Sequence, residues 1–378
     1  MSEVLLSSSC TEQELLARIA LSFLPAVGPV LTRALVGHCG SAEAVFREKR
    51  SLLARIPGLG ARRVAKAFSE PVFPLAEREL AFIRRHRITP IFFTDALYPQ
   101  RLIHCHDAPA LLYSKGSIDY NAGRFVALVG TRHATDYGAS CVETLVAGLA
   151  PYGVCVVSGL AYGIDIRAHQ SALDQGLSTI GVTAHGLDRI YPPAHRGTAK
   201  KMIACGGLLT EYPSGTQPDR ENFPSRNRIV AGISDAVVVV EAAEKGGALI
   251  TADLANGYDR DVFAIPGRVG DLRSMGCNRL IREHKAALIT SAEDLVWLMG
   301  WNDDKPETKR KAQQIQLFPE LNPEQQRIVD VLRQMGESGQ DAIAFHSGVT
   351  LSRISGVLLE LELNGVLKLL PGKRYRLN

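Results

Sequence analysis

At 378 residues, with 46% apolar and 22% charged residues and a formal charge of +4, the chain is long enough for more than one buried core and too apolar for bulk disorder. The weak basic balance neither demands nor excludes a polyanionic partner, so the placement of the lysines and arginines matters more than their sum. No run approaches the ~18 apolar residues of a membrane span. The opening "MSEVLLSSSCTEQELL" lacks the basic start of a secretory signal, so a cytoplasmic protein is expected. Seven cysteines without a C-x-x-C pair fit reduced thiols, and His104-Cys105-His106 lacks a second ligand pair, so no metal is expected.

Residues 1–70 contain an internal echo. "LPAVGPVLTRAL" (Leu24 to Leu35) and "IPGLGARRVAKAF" (Ile56 to Phe68) each read as a proline and glycine turn between helices, the layout of a SAM/helix-hairpin-helix-like domain. The second copy carries Arg62, Arg63 and Lys66 after its turn and is the better candidate for gripping a phosphate; the first reads as a packing corner. From Pro71 to Gly123 a bridge with the amphipathic helix "LAERELAFIRRH" is expected to wrap onto the next domain.

From Phe125 to about residue 300, short apolar runs recur: "FVALV", "VCVV", "STIGVT", "GLLTEY", "AVVVVE" and "DVFAIP". Runs apolar on both faces, separated by helical stretches, predict an α/β domain with an extended Rossmann-like, mostly parallel sheet. Nearly every strand ends in a glycine or serine turn, and in such sheets the carboxyl ends line the ligand crevice. Residues 301–320 are charged and glutamine-rich and read as a linker. Residues 321–378 read as helices followed by a hairpin, a winged-helix domain, with Leu351, Ile354, Leu358 and Leu361 expected on the buried stripe of its third helix. That helix exposes Arg353 but also Glu360 and Glu362, a mixed complement for a phosphate surface.

The row of turns excludes several chemistries. There is no G-x-S-x-G elbow and no G-x-x-x-x-G-K-[ST] phosphate loop, and "VGTRHATDYG" lacks the second glycine of a dinucleotide turn. Asp165 and His169 lie four apart on one helical face, a spacing read as holding the helix start in place. What remains is a set of donors: backbone amides at Gly130, Gly159 and Gly246-Gly247, with cations at Arg132, Arg196, Lys200, Lys201, Arg226, Arg228 and Lys245, and Asn227 between two arginines to orient them. So many separate cations exceed the needs of one mononucleotide and suit a polynucleotide.

The ordered series VGTR, VSGLAYGID…AH, Gly-Leu-Asp then Tyr-Pro, TEYPSG, FPSRNRIVAGIS, VVEA, GGALITA and IPG resembles the DNA-processing protein A (DprA/Smf) family over roughly residues 90 to 295. The resemblance implies a non-catalytic, cytoplasmic homodimer without a cofactor that binds single-stranded DNA during natural transformation, shields it and helps load the RecA recombinase. It implies a DNA site at Gly130, Thr131 and Arg132, at Ser158 and Gly159, at Arg226, Asn227 and Arg228, and at the Lys245-Gly246-Gly247 turn, with Arg196 and Lys200 as a further contact. Three places depart from the family. Gly246-Gly247-Ala248 replaces Ser-Gly-Ser, His284-Lys285-Ala286 replaces a glycine-alanine pair, and His185 stands in a normally apolar turn, as a stacking surface or as filler. The rival reading is a nucleotide phosphoribohydrolase on a related sheet, with Asp253 where an acid would be useful.

Overall fold

The computed structural model describes residues 11–302, 321–370 and 373–377 and divides into two compact units, Met1–Pro306 and Glu307–Asn378. The expected linker lies almost wholly outside the described residues.

In the first unit a nine-stranded sheet runs in the order β1-β2-β6-β5-β4-β3-β7-β8-β9. The strands are β1 (Thr89–Phe92), β2 (Leu111–Gly116), β3 (Phe125–Val129), β4 (Cys155–Ser158), β5 (Thr179–Val182), β6 (Gly207–Thr210), β7 (Ala236–Val239), β8 (Asp261–Ala264) and β9 (Ala287–Leu288). From β6 to β9 every pairing is parallel, and β1 and β2 extend one edge antiparallel. The period of two explains why the central strands are apolar throughout. Phe125, Ala127 and Val129 face one core, whereas Val126 and Leu128 face the core on the opposite side of the sheet.

β3 starts the parallel series, which runs outward through β4, β5 and β6 and then returns to lay β7 on its other side. The strand order therefore reverses between β3 and β7, the switch point at which sheets of this kind form a crevice beyond the carboxyl ends.

The bridge wraps onto the sheet as expected. Arg101 pairs with Asp235 at 2.5 Å and lies over the Phe125 ring, while Asp235 accepts from the Phe125 amide at 2.8 Å. The helix Phe73–His86 buries Glu79, whose carboxylate accepts from the Ser214 amide at 3.0 Å and from the Ser214 hydroxyl, tethering the loop after β6.

One apolar core crosses residue 70. Leu15, Ile19, Leu35 and Val64 of the N-terminal helices pack with Leu80, Ile83, Phe92 and Tyr113. In the second hairpin motif, the helix Gly60–Ala67 begins at a glycine with φ +62°, and the Arg63 guanidinium turns back to the Gly58 carbonyl at 2.5 Å. Arg62 and Lys66 stay exposed there.

The second unit contains helices Pro323–Met335, Gln340–Ser347 and Leu351–Leu363 and the strands β10 (Ser338–Gly339), β11 (Leu367–Leu370) and β12 (Arg374–Leu377), paired β10-β12-β11. This is the winged-helix layout read from the sequence. The buried stripe of the third helix is Ile354, Val357, Leu358 and Leu361; Leu351 is 63% exposed, because the stripe starts one turn later than the pattern implied. Among the described residues no single helix is long and apolar enough to cross a membrane, and no cluster of histidine, cysteine or acidic residues could hold a metal ion.

Candidate nucleic-acid interface

The site is assembled from turns that glycine and two buried carboxylates hold in place. After β3, Gly130 sits where a Cβ would lie 2.4 Å from Ile164 Cγ1, and the Thr131 amide donates to the Glu241 carbonyl at 2.8 Å. Thr131 is tied again through its own carbonyl, which accepts from the Ile164 amide at 3.1 Å. The Glu241 side chain, buried just after β7, accepts from the Thr135 amide at 2.9 Å and from the Thr135 hydroxyl, and Thr135 caps the helix Asp136–Leu149. The loop carrying Arg132 is therefore held at both ends across the switch point.

After β4 the chain turns through Ser158, Gly159 and Leu160 into the helix Ile164–Asp174. Asp165 is buried and anchors this turn, accepting from the Ala161 amide at 3.4 Å and also facing the Gly159 amide. Burial raises its pKa, and the Arg226 charge pulls it back down. The Ser158 hydroxyl is fully buried and donates to the Leu128 carbonyl at 2.6 Å, so it braces β4 against β3 and offers nothing to solvent.

Arg226 comes from the helix Asn222–Gly232 and lies directly beneath Gly159, where a Cβ would stand 1.6 Å from one terminal guanidinium nitrogen. Any side chain at this position would have to displace the guanidinium. Arg226 is 4% exposed, yet among the described residues it donates no hydrogen bond and forms no ion pair, and its Nε is sealed from solvent. Burial holds its pKa below the ordinary arginine range, with Asp165 opposing the shift and Arg132 adding to it. A desolvated guanidinium without a bonded acceptor is costly unless an anion completes it.

Around this cation the rim is aromatic and basic. Arg132 is exposed, with its guanidinium 5.1 Å from the centre of the Phe223 ring, and Phe223 neighbours Tyr191 at 6.3 Å between ring centres. The His195 ring donates through Nδ1 to the Leu160 carbonyl (2.8 Å) and meets the half-exposed Tyr162 ring at 4.9 Å. The loop 191–195 thus links both sets of rings and leads into the helix Arg196–Cys205, on which Arg196 and Lys200 are exposed one turn apart. Across the crevice, Lys245, Gly246 and Gly247 are exposed, and the helix Gly247–Gly257 starts without a side-chain cap. Asn227 donates to the Gly247 carbonyl at 3.3 Å, so it ties the middle of its own helix to the start of the next and does not orient the neighbouring arginines.

Several expected donors are engaged in holding the fold. Arg228 points away from Arg226 and pairs with the buried carboxylate of Glu211, because residues two apart on a helix face nearly opposite directions. The Thr131 amide donates to the Glu241 carbonyl and the Gly159 amide faces Asp165, whereas Gly246 and Gly247 are exposed at a helix start without a side-chain cap. His185 is buried, with Nδ1 at 2.8 Å from the Gly186 carbonyl, and so is no stacking surface. Sequence reasoning passed over Gly163, Glu241 and Tyr191. The signals for the first two were a glycine directly before a helix and a lone acid ending a four-valine run.

His169 does not meet Asp165. Its Nδ1 lies 2.7 Å from the Thr179 hydroxyl, which itself donates to the Val156 carbonyl at 2.9 Å, so Nδ1 carries the proton and Nε2 is buried unpartnered. Burial, with Arg226 and His195 nearby, pushes its pKa down to about 3 from an ordinary 6.5. The folded state refuses a proton that the unfolded chain accepts below pH 6.5, so stability falls with falling pH by about 1.4 kcal/mol per unit between those values. Urea unfolding from pH 7.5 to 5 should show that slope, and His169→Gln should lack its share of it.

The fold and site define a doubly wound, Rossmann-like protein with exposed cations around its switch point and a winged-helix second unit. The family described as DNA recombination-mediator protein A matches residues 89–300, and the DprA winged helix domain matches residues 313–373. The chain belongs to this DNA recombination-mediator family. It is 33% identical to protein Smf of Synechocystis over 95% of this chain and 97% of that protein. Its fold matches the X-ray structure of DNA processing protein A from Streptococcus pneumoniae with a TM-score of 0.64 and 33% identity, over 76% of this chain and 98% of that one. It also matches the Helicobacter pylori DNA processing protein A, described for its single-stranded DNA binding mode, with a TM-score of 0.52 and 30% identity, over 57% of this chain and 96% of that one.

Proposed function

We propose that this recombination mediator binds single-stranded DNA in the crevice without changing its covalent bonds. By this means it shields incoming DNA and helps load the RecA recombinase during natural transformation, acting as a homodimer in the cytoplasm. The observation that carries the reading is the buried, unbonded Arg226 guanidinium beneath Gly159, beside the exposed Arg132 that overlies Phe223. A phosphate supplies the acceptors that Arg226 lacks, and the exposed faces of Tyr162 and Tyr191 offer stacking that unpaired bases can use. The single-strand binding of the Helicobacter pylori relative supports the choice of polymer. A flexible strand can bend successive phosphates into a concave crevice, which stiff duplex cannot do.

The carboxylates at the crevice favour binding over catalysis. Asp165 and Glu241 are buried and occupied in holding the turns, and Asp253 is exposed beside Lys285 at 3.4 Å. Arg132→Ala should weaken single-strand binding several-fold and lower the slope of log affinity against log salt by about 0.7, with the fold intact. Titrating a labelled oligonucleotide at several salt concentrations checks this, and an unchanged slope removes Arg132 from the interface. Sustained release of base from nucleoside monophosphates would instead establish the phosphoribohydrolase reading.

A further inference from the structure

Among the described residues of the winged-helix unit, the hairpin carries cations without acidic partners, whereas the single cation of the third helix is paired. Along the outward face of Leu351–Leu363 stand Ser352, Gly356, Leu359 and Leu363, all exposed and uncharged. Of the charges beside them, Arg353 pairs with Glu324 at 3.2 Å, and Glu360 accepts from Gln325 at 3.0 Å. A helix of this kind has little to offer a phosphate backbone.

The ribbon β11–β12 is different. Lys368 stands directly opposite Arg376 in the register, and both are exposed. Lys373, also exposed, precedes β12, whereas Arg374 is paired with Glu337 at 3.2 Å. Among the described residues, Lys368, Lys373 and Arg376 have no acidic partner. The opposite face of the ribbon packs into the unit through Leu367, Tyr375 and Leu377, so the cationic face is directed outward by the core beneath it. Like charges directly opposed on neighbouring strands destabilise the pair. Only an anion spanning both side chains turns that arrangement into a gain.

We propose that this wing is a second phosphate-binding surface, taking the backbone of nucleic acid without regard to sequence. The inference rests on the proposed function only in its choice of polyanion. A flat cationic ribbon suits a linear chain of phosphates better than a compact anion, and a second grip on a strand already held in the crevice strengthens binding through effective concentration.

The test uses the full chain with Lys368 and Arg376 both changed to Gln, beside Arg132→Ala as the crevice control. Affinity is measured against salt for single-stranded and duplex oligonucleotides of equal length. Loss of two phosphate contacts should lower the slope by about 1.4 on single strands or about 1.8 on duplex, and the arm that responds identifies which form the wing grips. Unchanged slopes in both arms overturn the wing proposal, whatever the crevice control does. An unchanged slope in Arg132→Ala alone counts against the crevice and leaves the wing standing. Should the double variant melt early, Lys368→Gln and Arg376→Gln separately must each give half the change, and no change in either overturns the proposal.

Discussion

Replacing Arg226 with methionine is expected to cost single-strand affinity about ten- to a hundredfold while leaving the fold about as stable as before. Hydrogen bonds to a charged group contribute about 1.5–3 kcal/mol, and each 1.4 kcal/mol is tenfold in affinity. In the free protein this side chain makes no hydrogen bond among the described residues and has its attraction to Asp165 to set against its burial. Exchanging this one charge for an apolar chain of similar length removes its own desolvation cost, and against that stands the lost attraction to the buried Asp165. Asp165 sets the pH behaviour of the exchange. Burial raises its pKa and Arg226 lowers it, so removing Arg226 lets it rise further. A carboxyl whose folded pKa exceeds its unfolded value loses stability as pH rises through the folded value and recovers it as pH falls. Any deficit in Arg226→Met should therefore be present at pH 8 and shrink as the pH falls toward about 4, the unfolded carboxyl value. Urea unfolding at both values, paired with fluorescence anisotropy of a labelled oligonucleotide, measures each side. A variant with lower stability and unaltered affinity would make Arg226 a structural residue.

Gly163→Ala should produce the largest loss of stability, on the order of 3 kcal/mol or more, together with loss of binding. Gly163 has φ +78°, and an added Cβ would stand 2.1 Å from the Thr131 carbonyl oxygen and 2.6 Å from the Arg132 carbonyl carbon. Both are backbone atoms and cannot rotate away, so the loop carrying Arg132 must move. Gly153→Ala is the matching control. It has φ +60° with nothing within 4 Å of the added Cβ, and it should show only the left-handed backbone cost of about 1–2 kcal/mol. Equal melting curves for the two variants would dismiss the overlap as unimportant.

Much of the architecture was legible because it depends on local pattern. "FVALV" and "AVVVV" are apolar at every position, which only a strand covered on both faces tolerates, and β3 and β7 are buried at every position. The antiparallel pair β1 and β2 was not legible, since "TPIF" and "LLYSKG" are short and contain a proline and a glycine that also suit a loop. In the site, Arg132 was visible as a cation after a strand and a glycine, and the structure places it exposed at the crevice. Arg226 and Arg228 looked equivalent in "FPSRNRIVAG" and turned out to serve different ends.

The sequence by itself determined the alternation of buried strands and glycine turns, the winged-helix layout, and the concentration of cations near strand ends, because periodicity and turn chemistry are written residue by residue. Tertiary structure alone decided that Arg226 lies unbonded under Gly159 while Arg228 is bound to Glu211, and that the Thr131 and Gly159 amides are engaged while the Gly246-Gly247 turn is exposed. The physical reason is that a side chain's partner depends on which face of its helix packs against the sheet and on which distant carboxylate arrives beside it. Glu241 comes to Thr131 from more than a hundred residues away, and no local pattern records that meeting.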